Sequence, residues 1–445
     1  HEAFKIAKNG RPGPVVVDIP KDIQFAKGNY ESLEDSKIKN HRVYKPQMTG
    51  DEKKIEEALH AIASAKKPIF YVGGGCINSG SSTSELLLKF IRLTGFPVTM
   101  TLMGLGAFPA GDKQSLGMLG MHGMYESNLA MHDCDVMINL GARFDDRVTG
   151  RLDAFSPNSI KIHIDIDSSS INKNVKVDIP IIGDMETVLK QMLKIWKNKN
   201  LSVNKISIDD WWKKIEKWKE IDCLKYTLSD EIIKPQYAIE RLYELTRDRD
   251  TIITTEVGQH QMWAAQFYKF EKPKKWLTSG GLGTMGYGFP AAIGAQVANP
   301  ESLVVDIAGE SSVLMNIQEM STAVQHKLPV KIFIINNEYM GMVRQWQELL
   351  HEGRYSESYM DSLPDFVKLA ESFGAVGLRA TKPKEVDDVI KEMISTDRTV
   401  IADIVVDKNE NCFPMIQSGS AHNEMVLNKN QKQDEDSAKK GKILV

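Results

Sequence analysis

Residues 306–346, DIAGESSVLMNIQEMSTAVQHKLPVKIFIINNEYMGMVRQW, decide how the rest of the chain is read. Leu303, Val304 and Val305 lead into Asp306, the apolar pattern breaks at Gly309, and helical periodicity runs to His326. Pro329 then returns the chain to the apolar run 330–335. Strand, turn, helix and strand in that order are the mark of a parallel sheet, so the chain is read as α/β. The carboxylate of Glu310 and the amides of Asn336 and Asn337 stand just past the carboxyl ends of successive strands. That is where open α/β sheets bind ligands.

Such a pair suits a diphosphate held through a hard divalent cation, because phosphate oxygens supply most of the ligands and the protein needs only one or two. Gly309 lets the backbone approach closely, and the helix after Ser311 and Ser312 directs unpaired N–H groups at the phosphates. From the pattern alone, a strand-end carboxylate and an unrelated Asn-Asn turn is an equal alternative.

Working outward, the strand 251–255 delivers Glu256-Val257-Gly258-Gln259-His260 at its carboxyl end. The glycine-rich run 279–288 reads as a loop entering an apolar helix, 289–297, with Pro290 in its first turn. Helix 365–373, strand 375–379, helix 383–395 and strand 399–405 continue the alternation. Together these make a domain at 229–427, followed by a polar, disordered tail at 428–445. The charged segment 196–228 carries Trp211, Ile215 and Trp218 at helical spacing, an amphipathic connector packed on the body. Asp209, Asp210, Glu216 and Glu220 weigh against a membrane-bound face.

A second α/β block occupies 48–195. Its first helix, 51–65, repeats Ile55, Ala58, Leu59 and Ile62 at helical spacing. The strand 69–72 runs into Gly73-Gly74-Gly75, and strands at 97–101, 136–140 and 160–164 end at MGLG (103–106), GARFDDRVTG (141–150) and Asp165-Ile166-Asp167. A further turn reads GMLGMHG (117–123). One glycine-rich βα turn is weak evidence for a nucleotide, but several in one domain with strand-end carboxylates suit a bound dinucleotide. The alternative for Arg143, Asp145, Asp146 and Arg147 is a surface ion-pair network. Residues 1–47 hold a helix at 2–8, a buried strand at Val15-Val16-Val17 and a polar linker beginning at 32.

The 445 residues leave room for two or three domains, and 42% hydrophobic content is that of a globular protein. With 56 Lys and Arg against 59 Asp and Glu the formal charge is −3, so nothing points to nucleic acid. Cys76, Cys134, Cys223 and Cys412 form no C-x-x-C pair, which suits a reducing compartment and argues against a disulfide framework or cysteine metal site. No apolar run reaches the length of a membrane span.

VGQHQMWAAQ (257–266), GGLGTMGYGFPAAIGA (280–295) and NNEYMGMVRQWQ (336–347) together resemble the acetolactate synthase (acetohydroxyacid synthase) family of thiamin-diphosphate enzymes. The resemblance implies parallel-sheet domains of that type: a remnant of the pyrimidine-binding domain at 1–47, a central FAD-binding domain at 48–195, a connector, and a diphosphate-binding domain at 229–427. It implies that thiamin diphosphate meets Val257, Gly258, Gln259, His260, Gly309, Ser311, Ser312, Gly341 and Met342. Gly283 would offer a carbonyl to the aminopyrimidine, and Met285 an apolar wedge that bends the cofactor. From residues alone Met285 could equally be a gap-filling core methionine, as for most of the 20 methionines. The implied Mg2+ ligands are Glu310, Asn337 and the backbone carbonyl of Tyr339. The implied FAD contacts are Gly73, Gly74, Gly120, Met121, His122, Gly123, Gly141, Ala142, Arg143, Asp145, Arg147, Asp165 and Asp184.

One departure stands out: the family's Gly-Asp-Gly is replaced by Gly309-Glu310-Ser311. Glutamate keeps the carboxylate and adds a methylene, so metal binding is expected to survive with the backbone set slightly back, and Ser311 is acceptable at negative φ. The implied reaction is decarboxylation of pyruvate and ligation to a second 2-oxo acid, pyruvate or 2-oxobutyrate, giving 2-acetolactate or 2-aceto-2-hydroxybutyrate for valine, leucine and isoleucine synthesis. Trp346 is the implied substrate contact, in a neighbourhood (Arg344, Gln345, Gln347) expected to be poorly suited to burial. Pyruvate oxidase, glyoxylate carboligase and sulfoacetaldehyde acetyltransferase are alternatives that share the fold and cofactors. The glutamate that activates thiamin in the family falls in the first domain, most of which the chain is expected to lack. No catalytic residue is therefore named, and the chain alone is expected to bind cofactors without turnover. The family further implies a homodimer or tetramer, a small regulatory subunit, and a cytoplasmic or organellar setting.

Overall fold

A computed structural model describes residues 2–30 and 45–431 and contains two six-stranded, wholly parallel sheets flanked by helices. The first comprises β1 (Pro68–Val72), β2 (Val98–Met100), β3 (Ser115–Met118), β4 (Val136–Leu140), β5 (Ile160–Asp165) and β6 (Ile179–Ile182), in the order β3-β2-β1-β4-β5-β6. The second comprises β7 (Thr251–Thr255), β8 (Trp276–Leu277), β9 (Leu303–Gly309), β10 (Lys331–Asn336), β11 (Val376–Ala380) and β12 (Val400–Val405), in the order β11-β12-β10-β9-β7-β8. The central strands β1, β4, β7 and β10 are buried at every residue. Burial on both faces requires a continuous apolar run, which is why PIFYV and KIFIIN stand out in the sequence.

Helix Glu52–Ser64 begins where the Asp51 carboxylate accepts the Lys54 N–H at 3.0 Å, and it buries Ile55, Ala58, Leu59 and Ile62. Each large aliphatic side chain so buried contributes about 2 kcal/mol. The tryptophan-rich helix Lys205–Lys219 docks on the first sheet, with Trp211 Nε1 donating to the Pro68 carbonyl at 3.0 Å and Trp212 Nε1 to that of Gly95 at 2.8 Å. No helix among the described residues is long and apolar enough to cross a membrane.

The expected buried strand at Val15-Val16-Val17 does not form. These residues belong to no helix or strand, and Val16 is 91% exposed. An apolar run becomes a strand only where a neighbour takes its N–H and C=O groups, and no described strand lies beside it. The helix Glu2–Lys8 does form, with no buried residue. Most of the polar linker and of the C-terminal tail lies outside the described residues.

Candidate cofactor and active site

The carboxyl ends of β7, β9 and β10, adjacent in the second sheet, open into a small cleft of about 60 Å³. Val257 to His260 follow β7, Gly309 to Ser312 follow β9, and Asn337 to Met342 follow β10. All of them line the cleft apart from Glu338, together with Met285, Trp263, Ile335 and Val343. Helices Gln259–Phe267 and Gly341–Leu350 both start here, so their unpaired N–H groups and positive ends face one space. Ser311 lies in the first turn of the helix Glu310–Val313 and is not among the residues at positive φ, so the replacement of glycine carries no backbone strain.

Glycines at this cleft are dictated by side chains as much as by ligand space. A Cβ at Gly309 would come within 2.8 Å of His260 Nδ1, and one at Gly341 within 2.0 Å of Gln259 Oε1. Ser312 is already engaged, its hydroxyl donating to the Gly309 carbonyl at 3.0 Å and accepting the Gly309 N–H at 3.2 Å. The Gln259 carboxamide is engaged too: it donates to Gln345 Oε1 (2.8 Å) and the Glu410 carbonyl (3.1 Å) and accepts from Asn337 Nδ2 (3.1 Å). What Gln259 leaves open to the cleft is its backbone N–H.

Three buried side-chain atoms of cleft residues have no protein partner: Oε1 of Glu310, Nε2 of His260 and Nε1 of Trp263, of which the first two belong to titratable groups. Burial pushes the Glu310 carboxyl up to about 8 and holds the His260 imidazole down to about 3, so neither carries charge near neutrality. A divalent cation beside the first and an anionic oxygen beside the second would reverse both penalties. The residues therefore fit a metal-bound diphosphate. No described group of three His, Cys, Asp or Glu residues could hold a metal, which leaves one carboxylate, one amide and a carbonyl for the task.

Behind the cleft sits a buried acid pair. Glu256, fully buried, accepts the Gly286 N–H at 2.6 Å and the Phe289 N–H at 3.0 Å. Asp306 Oδ1 accepts the Thr254 hydroxyl at 3.0 Å and Oδ2 has no partner. Burial first and then the neighbouring Glu256 push the Asp306 acid well up, and burial raises the Glu256 acid as well. The sequence reading passed over Glu256 because a single glutamate at a strand end gives no sign of the turn it will hold.

Val257, Gly258, Met285 and Met342 also line a second cavity, of about 890 Å³, between the two sheets. Its first-sheet wall contains Gly74, Met121, His122, Gly141, Ala142, Arg143, Asp145, Arg147, Asp165 and Asp184, and Gly283 lies on the opposite wall. Gly73, Gly120 and Gly123 are packed beneath this surface rather than on it. Gly73 is pinned between strand ends, and a Cβ there would lie 2.3 Å from the Gly141 carbonyl oxygen. Arg143 and Asp145 do pair, at 2.6 Å, while lining the cavity. Asp184 also caps helix Met185–Asn198, accepting the Thr187 N–H at 3.1 Å.

Trp346 lines the same cavity, and the Arg147 guanidinium stands over its ring at 5.7 Å. Trp346 is not a core residue, although two of its neighbours are buried. Arg344 is 3% exposed and Gln345 fully buried: Glu348, Asn411 and the Glu410 carbonyl take the terminal guanidinium N–H groups while Arg344 Nε has no partner, and the Cys412 carbonyl takes the Gln345 amide. Trp346 itself stays half-buried with its indole N–H unpartnered.

Sequence comparison defines the class. Residues 256–404 match the C-terminal TPP-binding domain of thiamine pyrophosphate enzymes, and residues 55–192 match their central domain. Within that class the chain is 47% identical over 434 residues to the acetolactate synthase isozyme 3 large subunit of Escherichia coli, covering 97% of this chain and 75% of that one. It is 47% identical to the acetolactate synthase large subunit of Haemophilus influenzae, over 97% of this chain and 75% of that one. Against the chloroplastic acetolactate synthase of Arabidopsis thaliana the identity is 42%, over 96% and 63%. This chain belongs to the acetolactate synthase large-subunit family.

Proposed function

We propose that this protein forms 2-acetolactate from two pyruvates, or 2-aceto-2-hydroxybutyrate from pyruvate and 2-oxobutyrate, with thiamin diphosphate, Mg2+ and FAD as cofactors in branched-chain amino-acid synthesis. The observation that carries the reading is that the small polar cleft and the large interdomain cavity share Met285 and Met342. A cofactor anchored by phosphates in the first therefore presents its ring to the second. When bound, thiamin diphosphate supplies the carbon nucleophile and the electron sink for decarboxylation.

The chain's own groups do the holding. Glu310, Asn337 and the Tyr339 carbonyl take the cation; His260, Ser311 and the backbone N–H groups of Gln259, Ser312, Gly341 and Met342 take the diphosphate. Gly283 and Met285 meet the ring. The walls at Gly74, Gly141 to Arg143 and Asp165 take FAD. Trp346 lies where the second 2-oxo acid enters, and a flat ring can favour one extra methylene by about 1–3 kcal/mol. Val343 (47% exposed) lines the cleft, Leu282 (95%) lines the larger cavity, and Met315 (49%) packs near Gly286; such exposed apolar side chains suit cover by a second copy of the chain, with a regulatory small subunit as a further partner.

The test is product analysis of the intact enzyme with pyruvate alone and with pyruvate plus 2-oxobutyrate, alongside titration of thiamin diphosphate with and without Mg2+. Acetolactate formation is expected, with Mg2+-dependent binding that Glu310→Ala abolishes and a product ratio that Trp346→Leu shifts toward acetolactate. Acetyl phosphate or a glyoxylate-derived product in place of acetolactate would refute the assignment.

A further inference from the structure

Met285 is the last residue of a loop that the protein barely holds. Residues 281–284 are exposed, and their one backbone tie to a side chain is the Thr284 N–H to Ser279 Oγ at 3.0 Å. The chain dives into the interior at Gly286, which is buried and adopts φ +90°. Both sides of that residue are gripped from other elements. Its N–H donates to Glu256 Oε2 at 2.6 Å, from the end of β7, and its carbonyl accepts Asn316 Nδ2 at 2.5 Å.

Asn316 reaches it from a break in its own helical segment. It sits inside the 3₁₀ segment Leu314–Glu319 with φ −132° and ψ 29°, values that break the helix at that point. Glu256 is fully buried, and its other oxygen takes the Phe289 N–H at 3.0 Å. One carboxylate thus ties the turn at Gly286 to the start of helix Gly288–Ala298.

We infer that Glu256 and Asn316 are positioning residues that clamp Gly286 from opposite sides and so set where Met285 stands in the cofactor cleft. The inference rests on the cleft being the thiamin diphosphate site. Neither residue touches the cleft. The clamp acts on the ring end of the ligand through Met285, whereas at the diphosphate end, formed by Gln259 and His260 after β7 and by the ends of β9 and β10, neither clamp side chain lines the cleft.

That asymmetry supplies the test. Binding of thiamin diphosphate and of inorganic pyrophosphate, each with Mg2+, is measured by calorimetry for the full chain and for Asn316→Ala, Glu256→Gln and Met285→Ala. Asn316→Ala and Glu256→Gln are expected to weaken thiamin diphosphate about tenfold, with pyrophosphate affinity within twofold of the parent. In a Met285→Ala background Asn316→Ala should add nothing, since the side chain it positions is gone. Thermal melts run alongside, because Glu256→Gln also weakens a helix start, whereas Asn316→Ala leaves that start intact.

Equal losses for both ligands, unchanged affinity for both, or full additivity with Met285→Ala would each overturn the clamp. A parent chain that binds neither ligand would overturn the cofactor reading of the cleft and the clamp with it.

Discussion

Among single residues, Gln345 shows how far the orientation of a proposed metal ligand, Asn337, can be set from behind. Its Oε1 accepts from Gln259 Nε2 at 2.8 Å and from the Cys412 N–H at 2.7 Å, and Gln259 in turn takes Asn337 Nδ2 at 3.1 Å. With its amide nitrogen committed to Gln259, Asn337 turns its oxygen toward the cleft, where the Tyr339 N–H also meets it at 3.2 Å. Outer partners of this kind commonly change metal affinity by about 10–100-fold. Gln345→Leu is therefore expected to raise the Mg2+ concentration needed for thiamin diphosphate binding by about tenfold. Gly341→Ala, whose Cβ would lie 2.0 Å from Gln259 Oε1, should do worse. A Mg2+ midpoint unchanged in both variants would show that Asn337 needs no such support. The resemblance to the family could offer Gln259 as a proposed phosphate contact. It could not show which way the carboxamide turns, because that depends on a helix about 80 residues downstream.

For the elements, legibility follows burial. β1, β4, β5, β9, β10 and β12 lie inside their sheets or carry long apolar runs, and each reads directly from the sequence. β3, β6 and β8 do not, and all three are sheet edges. β3 contains Gly117 at φ +73°, β6 contains Pro180, and β8 is two residues long. An edge strand needs only one neighbour and tolerates such residues, so its sequence carries no continuous signal. Val15-Val16-Val17 is the converse, a strong apolar signal with no partner strand. The turns between strands were legible as glycine clusters, but not which glycine was indispensable. The structure separates them. A Cβ at Gly73 would sit 2.3 Å from the Gly141 carbonyl oxygen and 2.6 Å from Ala142 Cα, all backbone that cannot give, whereas one at Gly74 would meet Met103 at 3.3 Å. Gly73→Ala is expected to cost on the order of 2–4 kcal/mol and to lose bound flavin, with Gly74→Ala much milder in stability. Thermal melts and flavin absorbance of the two purified variants check this, and equal behaviour would contradict it.

Across the whole molecule, the segment 411–426 straps the second sheet's block to the first. The Ile416 N–H donates to the Met121 carbonyl at 2.8 Å, the Pro414 carbonyl meets His122 Nδ1 at 3.1 Å, and the Arg151 N–H donates to the Ser420 carbonyl at 3.2 Å. Within the strap, His422 is fully buried, packs edge-on against Phe155 at 5.2 Å, and donates from Nε2 to the Val148 carbonyl. Burial first, and then the nearby His132, hold the His422 imidazole down to about 4. The sign follows from which state binds the proton. Below the ordinary value of 6.5 the unfolded chain takes up a proton that the folded chain refuses, so stability falls as pH drops from about 6.5 to about 4 and then levels. Above 6.5 the group contributes no slope. One group of this kind changes stability by about 1.4 kcal/mol per pH unit, on the order of 3 kcal/mol across the window. His422→Asn retains an N–H donor without a titrating ring, so its urea midpoint should fall less steeply than the parent's between pH 6.5 and pH 4. The other buried groups act alike in both proteins and cancel in the difference. Parallel pH profiles would mean that the strap yields on acidification without His422 taking a proton, and would place the acid sensitivity of the interdomain contact elsewhere, with His122 at the same seam the next side chain to replace.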